Sequence, residues 1–443
     1  MTSDPQESTS HLTTLAGLSP LVKRILLGAG FSALGGGLTM PYLYVYLVHV
    51  RDFSTSTVGW VFAWMGLLGF LAAPAAGTLI DRFGPRLVML VGLSVEALSV
   101  ASLGWISTVP QGVVVASVIV LGTVGLWPAS TAMLTRLVPE EQRERVYGFN
   151  FMLLNAGLGV GGLISSLLIN VDSLASFQVL YLIDAATYLV FIGVLISLPR
   201  GTGKPPVTTG EEGIEADPAE HSVEPSWGEV LADRKLLAFV AVSILAITCG
   251  YAQMETGLAA YAVDVAGVPA RSLGWAYGAN TAAIVLGQLV ALRLIQGRRR
   301  TAVLASAGLL WTVSWIVIGL SDVASGWMAA AAIVVGLGLF GLGETLWAPV
   351  APAVVNALAP ERMRGRYNAL QGVAWTVGSI IGPASAGLLI GHGLAHLWIS
   401  GVIAGSLLGA LGMWRLRTLL GDEIDGVVLS TGSAPGSRDD HDS

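Results

Sequence analysis

Twelve apolar runs of about 20 residues constrain this chain more than any motif does, because about 20 residues of helix rise through a hydrocarbon core of about 30 Å. They lie near 21–48, 57–80, 87–107, 111–137, 146–170, 175–198, 236–262, 272–296, 301–320, 326–357, 367–391 and 394–416. Within such a core every backbone N–H and C=O must be bonded inside the structure, and runs this long meet that demand as helices rather than barrel strands. The expected fold class is an all-α membrane protein with twelve transmembrane helices.

Composition agrees. With 53% hydrophobic residues against 12% charged, the chain has more apolar surface than a soluble fold can hide. Its 56 glycines are the small residues that let membrane helices approach closely, with GLGVGG at 157–162 a clear case. The single cysteine, Cys249, excludes an intramolecular disulfide and a thiolate cluster. The net charge of −6 comes largely from polar acidic segments at 211–233 and the C-terminal tail, and gives no support to nucleic-acid binding. His11 and His221 lie in polar segments, and His392 with His396 have no carboxylate near them in sequence, so no metal is expected.

Charge placement sets the orientation. Of the 23 lysines and arginines, only Arg51 and Arg271 fall in loops assigned outside. The remainder mark the cytoplasmic side. The first twenty residues lack the basic start and short apolar core of a cleaved signal, so both termini are expected in the cytoplasm and the protein in the plasma (inner) membrane. The expected division is a cytoplasmic tail at 1–20, a six-helix lobe at 21–198, a Pro/Gly-rich linker at 199–233, a second lobe at 234–417 and a tail at 418–443.

The lobes read as copies. PEEQRER at 139–145 answers PERMRGR at 360–366, an offset of 360 − 139 = 221. The same offset pairs Gly122 with Gly343, Pro128 with Pro349, Arg143 with Arg364, Arg145 with Arg366, Gly157 with Gly378 and Gly161 with Gly382. Earlier in each half VGW at 58–60 pairs with LGW at 273–275, an offset of 273 − 58 = 215. Parallel repeats of this kind are related by an axis along the membrane normal.

Four acids fall inside the expected spans: Glu96, Asp184, Glu255 and Glu344. An ionised carboxylate at mid-membrane costs about 2.5–3.5 kcal/mol even on permissive scales, so each should face protein or water. Glu344 stands in a run with no other charge between Asp322 and Glu361, and Trp347 and Pro349 follow it within two turns. Glu255 shares a polar stripe with Thr248, Tyr251 and Gln253 in the seventh span. In the first span Tyr42 and Tyr46 share a face after Pro41. These residues are expected to line a proton-coupling and substrate cavity; each acid also admits a purely structural reading as an interhelical hydrogen-bond partner. Asp184, with Tyr181 and Tyr188 at helical spacing, and Glu96, near Ser99, are the most open to it.

The stretch GTLIDRFGPRLVM at 77–89 resembles the loop between spans two and three of the major facilitator superfamily, and within it the drug:proton antiporter-like exporters of bacteria. The resemblance covers residues 21–417 and implies two pseudo-symmetric six-helix bundles, the MFS fold. Gly77, Asp81, Arg82, Gly84 and Arg86 occupy the marked positions of that loop. With Arg143, Arg145, Arg364 and Arg366 they imply a cytoplasmic gate in which Asp81 meets helix-end donors or an arginine of the opposite lobe. The alternative is a loop that only marks topology and stiffens a turn. The second half has Gln296 where Asp81 stands. GSIIGPASAG at 378–387 reproduces the glycine series of the family's span five, which implies helix packing through Gly157, Gly161, Gly378, Gly382 and Pro383. The fourth span, from Gly112 to Thr135, lacks the arginine usual in the family's exporters, and span one has no acid.

The expected function is secondary active transport by alternating access, most simply proton-coupled efflux of a small amphipathic molecule. A facilitator or proton symporter taking up a small nutrient such as a sugar is the alternative. No GxxxxGK[ST] stretch exists to cradle ATP, and no nucleophile, base and orienter occur together, so neither an ATP-driven pump nor an enzyme is expected. The expected partners are a small-molecule substrate, protons and the lipid bilayer, with no cofactor, and the chain is expected to act as a monomer.

Overall fold

A computed structural model describes residues 18–199, 202, 227–360 and 363–426, without the side chains of residues 140, 141, 144, 145 and 289. Among the described residues, twelve rods form two bundles. The first holds α1 (Pro20–Val50), α2 (Thr55–Phe83), α3 (Pro85–Leu103), α4 (Val109–Leu137), α5 (Glu140–Leu168) and α6 (Leu174–Ser197). The second holds α7 (Arg234–Gln253), which continues through Gly257–Ala260 and Tyr261–Val265, then α8 (Arg271–Ile295), α9 (Arg300–Gly319), α10 (Trp327–Leu358), α11 (Arg364–Gly391) and α12 (Ala395–Leu420).

Local chemistry sets the helix ends. Ser19 accepts from the Val22 N–H ahead of Pro20, Ser54 accepts from Thr57, and Asp233 accepts from Lys235 and Leu236, each filling donors that a helix start leaves open. Between α2 and α3 the turn rests on Gly84 at φ 83°, ψ 153°, a backbone state that only glycine adopts freely. Gly84→Ala should cost about 1–3 kcal/mol. The melting temperature of the purified protein should fall; an unchanged value would contradict the strain.

The bundles repeat each other's contacts. In the first, α1 packs on α5, α2 on α4 and α3 on α6; in the second, α7 packs on α11, α8 on α10 and α9 on α12. Gly157 and Gly161 of α5 press on the backbone of α1, where an added Cβ would strike the carbonyl oxygens of Gly30 and Leu34. Their counterparts Gly378 and Gly382 of α11 press on Ile247 and Ala252 of α7. Bundle joins bundle where α2 meets α11 and α5 meets α8.

Three details add to the sequence reading. The fourth span is two segments, Val109–Thr123 and Leu126–Leu137, because Pro128 has no N–H to give the carbonyl of Val124. The seventh breaks at Gly250, where an added Cβ would stand 2.6 Å from the Ala246 oxygen and 2.8 Å from the Trp311 ring. The segment expected as linker ends in a short helix, Trp227–Ala232; its residues 200–201 and 203–226 lie outside the described residues.

Candidate functional site

Glu344 sits midway along α10 with 8% of its surface exposed. Its Oε2 accepts from Tyr251 Oη at 2.9 Å and its Oε1 from Asn280 Nδ2 at 3.2 Å. Asn280 is held in turn by the Leu337 carbonyl at 3.3 Å. An aromatic wall surrounds the pair: Trp311 stacks on Phe340 at 5.1 Å and 10° and packs against Trp347, while Tyr251 meets Trp375 edge-on at 4.8 Å. Among the described residues no basic side chain reaches this carboxylate. Neutral donors soften the desolvation of an anion without cancelling its charge, so the site favours an arriving proton or cation.

Two cavities open on Glu344. The larger, about 330 Å³, lies between the bundles: Met40 and Pro41 of α1 and Asn155 and Leu158 of α5 face Glu255, Tyr277 and Glu344 across it. The smaller, about 270 Å³, is lined by Trp347, Gln288, Gln371 and Trp375. Glu255 stands in the break of α7, where its exposed carboxylate makes no hydrogen bond among the described residues. Tyr277 Oη pins that break by donating to the Met254 carbonyl at 2.8 Å. Tyr251→Phe removes one of the two donors on Glu344 and should lower transport several-fold, on the scale of about 1 kcal/mol for a lost hydrogen bond. Initial rates in reconstituted vesicles check this, and wild-type rates would contradict it.

Several residues expected in the cavity lie elsewhere. Gln253 is buried, donating to the Thr248 carbonyl and accepting from Trp398 Nε1 at 3.0 Å. Tyr42 is turned to the lobe interface, where its oxygen accepts from the Gly274 N–H at 3.0 Å. Tyr46 packs inside the first bundle between Phe177 and Tyr181, accepting from Arg51 and donating to the Leu103 carbonyl.

Asp184 and Glu96 share a separate pocket of about 370 Å³ inside the first bundle. Asp184 Oδ2 accepts from Thr39 Oγ1 at 2.6 Å. Glu96 Oε1 accepts from Thr123 Oγ1 at 3.0 Å and from Tyr188 Oη at 3.2 Å. Of the sequence neighbours, Tyr188 reaches Asp184 as its spacing implies, whereas Tyr181 Oη has no partner among the described residues and Ser99 donates to the Val95 carbonyl.

Among the described residues the hydrogen bonds between the bundles gather at one end. There Asp264 accepts from Tyr44 Oη and lies 2.7 Å from His49 Nε2, and Ser56 Oγ donates to the Gly387 carbonyl at 3.0 Å. Gly59 and Gly387 meet back to back, where a Cβ on either would stand 2.7 Å from the other's Cα. His49 and Asp264 escaped notice in the sequence, although the offset of 215 relates them, 49 + 215 = 264. At the opposite end, among the described residues, Asp81 and the arginines expected to latch the lobes make no ion pair across them. Arg86 donates to the carbonyls of Ile196, Leu198 and Pro199 in its own bundle, and Arg82 lies over the Phe83 ring. Arg143, Arg364 and Arg366 make no ion pair across the lobes among the described residues. The side chain of Arg145 lies outside the described residues. No heavy atom falls within 4 Å of an added Cβ at Gly77, and Pro383 lines the larger cavity.

The chain is similar to known proteins along most of its length. The family model described as Major Facilitator Superfamily matches residues 25–348 and 272–426. Multidrug resistance protein MdtH of Enterobacter sp. (strain 638) is 25% identical over 72% of this chain and 74% of its own. A Na(+), Li(+), K(+)/H(+) antiporter of Planococcus maritimus is 23% identical over 84% of this chain and 90% of its own. Among solved structures, a mutant of peptide transporter POT in complex with sulfate aligns with a TM-score of 0.77 at 15% identity, covering 96% of this chain and all of the other, a likeness of fold.

Proposed function

The chain belongs to the major facilitator superfamily, and from that premise we propose that this transporter extrudes a small amphipathic molecule across the plasma membrane in exchange for protons. The observation that carries the reading is the chamber between the lobes, with Glu344 held by two neutral donors against an aromatic wall. The activities for which MdtH and the Planococcus antiporter are named favour the same reading.

In this reading the parted end, where most arginines lie, faces the cytoplasm with both termini, and the state described is open inward. A substrate entering from that side meets ring faces that accept an apolar or cationic body, and its arrival displaces the proton from Glu344. The freed proton leaves to the cytoplasm. The lobes then rock, the Asp264 cluster parts, and Asp81 with the arginines of the loops closes the inner end. Protonation from outside releases the substrate and resets the cycle. Each chain carries a whole chamber and so works as a monomer.

The test uses proteoliposomes with the chain reconstituted and ethidium as the probe. An acid-outside gradient should drive ethidium out of the vesicles with matching acidification of the lumen. Ethidium accumulation with the gradient would favour symport, and indifference to it would favour a facilitator; either result overturns the proposal.

A further inference from the structure

We propose that the pocket inside the first bundle is a binding site for a monovalent alkali cation, Na+ being the reference ion, held by Asp184, Glu96 and the Tyr181 hydroxyl. This goes beyond proton exchange at Glu344 and concerns different helices.

Among the described residues, three buried oxygens on side chains that line that pocket have no hydrogen-bond partner: Asp184 Oδ1, Glu96 Oε2 and Tyr181 Oη. Asp184 and Tyr181 are each only 1% exposed, and both line the pocket. Tyr181 is not free to turn elsewhere, since its ring is held edge-on against Tyr46 at 5.1 Å. A phenol fixed with an idle buried oxygen is a cost without return unless something binds it. The remaining oxygens are already used to set the carboxylates: Thr39 holds Asp184, and Thr123 and Tyr188 hold Glu96.

Electrostatics decides the sign of the ligand. Two carboxylates share the pocket, and no lysine, arginine or histidine lines it. The nearest basic group on the packed elements, Arg51, is engaged with Tyr46 Oη and the Gly104 carbonyl. A cation therefore supplies what the protein leaves out. Donor type decides its class, since oxygen donors without nitrogen or sulfur select hard ions. Three oxygens are unspent among the described residues, too few to replace the tightly held water of Ca2+ or Mg2+, whereas a singly charged ion sheds or keeps its water at lower cost. One monovalent ion, with one carboxyl keeping its proton, neutralises the pair.

Met40 borders both this pocket and the chamber between the lobes. An ion in the first bundle thus lies one side chain from the substrate space, close enough for its occupancy to set the shape of α1 at the chamber wall.

Equilibrium binding of radioactive sodium to the purified full chain, with choline chloride holding ionic strength, tests the assignment without any transport. Saturable binding near one site per chain is expected. Asp184→Asn and Glu96→Gln should weaken it at least tenfold, and Tyr181→Phe, which removes one oxygen and no packing volume, about tenfold. Glu344→Gln should bind sodium as the wild type does, so a failed antiport reading and a failed cation site are told apart. No saturable binding above the choline control would overturn the proposal. So would unchanged affinity in Tyr181→Phe together with Asp184→Asn, or displacement of sodium by equimolar calcium.

Discussion

Glu344→Gln should abolish the response of transport to a pH gradient, by about 10²-fold or more, while exchange of substrate across the membrane persists. The amide keeps the shape of the acid. Its oxygen can still accept from Asn280, and the Tyr251 hydroxyl can turn to accept from the new NH2, so the aromatic wall stays in place. What vanishes is the proton. The readout is the initial extrusion rate plotted against the imposed gradient, and a variant that follows the wild-type curve would remove Glu344 from the coupling step. Glu255→Gln should have a smaller effect, since that carboxylate stands exposed in the chamber and organises no neighbour.

Gly59→Val should hold the joined end of the bundles apart. A Cβ at Gly59 would stand 2.6 Å from the Pro383 carbonyl oxygen and 2.7 Å from Gly387 Cα, both backbone atoms of α11 that cannot swing aside. Overpacking of this kind costs about 1–3 kcal/mol, enough to shift a two-state balance about 5- to 150-fold. Met40, which lines the chamber and is 55% exposed, provides the reporter as Met40→Cys in a Cys249→Ala background. Its reaction with an impermeant thiol reagent added outside should quicken in Gly59→Val. Gly77→Val on the same helix, with no atom within 4 Å of its added Cβ, should leave the rate unchanged. Equal reactivity in the two variants would mean that the glycine contact does not close this end.

The fold was legible because the membrane imposes it. Runs of fixed length, most arginines in alternate loops and an offset that pairs Gly157 with Gly378 are written in one dimension, and the bundles repeat their contacts accordingly. Glu344 was legible for a related reason, since a lone charge in a long apolar run needs a partner wherever the helix lies. Side-chain direction was harder. Tyr42 and Tyr46 share a face on an ideal helix, but Met40–Tyr42 forms a turn of 3₁₀ helix. Three residues advancing about 120° each instead of about 100° rotate the remainder of the span by about 60°. Gln253 comes after a similar break at Gly250 and points into the bundle rather than the chamber. His49 and Asp264 each lie in a π-helical turn, Tyr46–Val50 and Tyr261–Val265, whose register no periodic reading of the sequence reaches.

Asp81 shows a different limit. A loop motif records which groups lie at a helix end, and the partner they meet depends on which end of the bundles is shut. In the state described, that end is the one holding Asp264.

The claim that the two bundles rock about the Glu344 chamber is tested most directly by paired distance measurements between spin labels in the Cys249→Ala background. One pair, on Leu79 and Ala357, spans the parted end; the other, on Trp105 and Leu397, spans the joined end, and all four side chains are exposed. Acidification should lengthen the first distance and shorten the second together, and Glu344→Gln should suppress both changes. Distances that stay fixed, or that move in the same sense at both ends, would contradict the account.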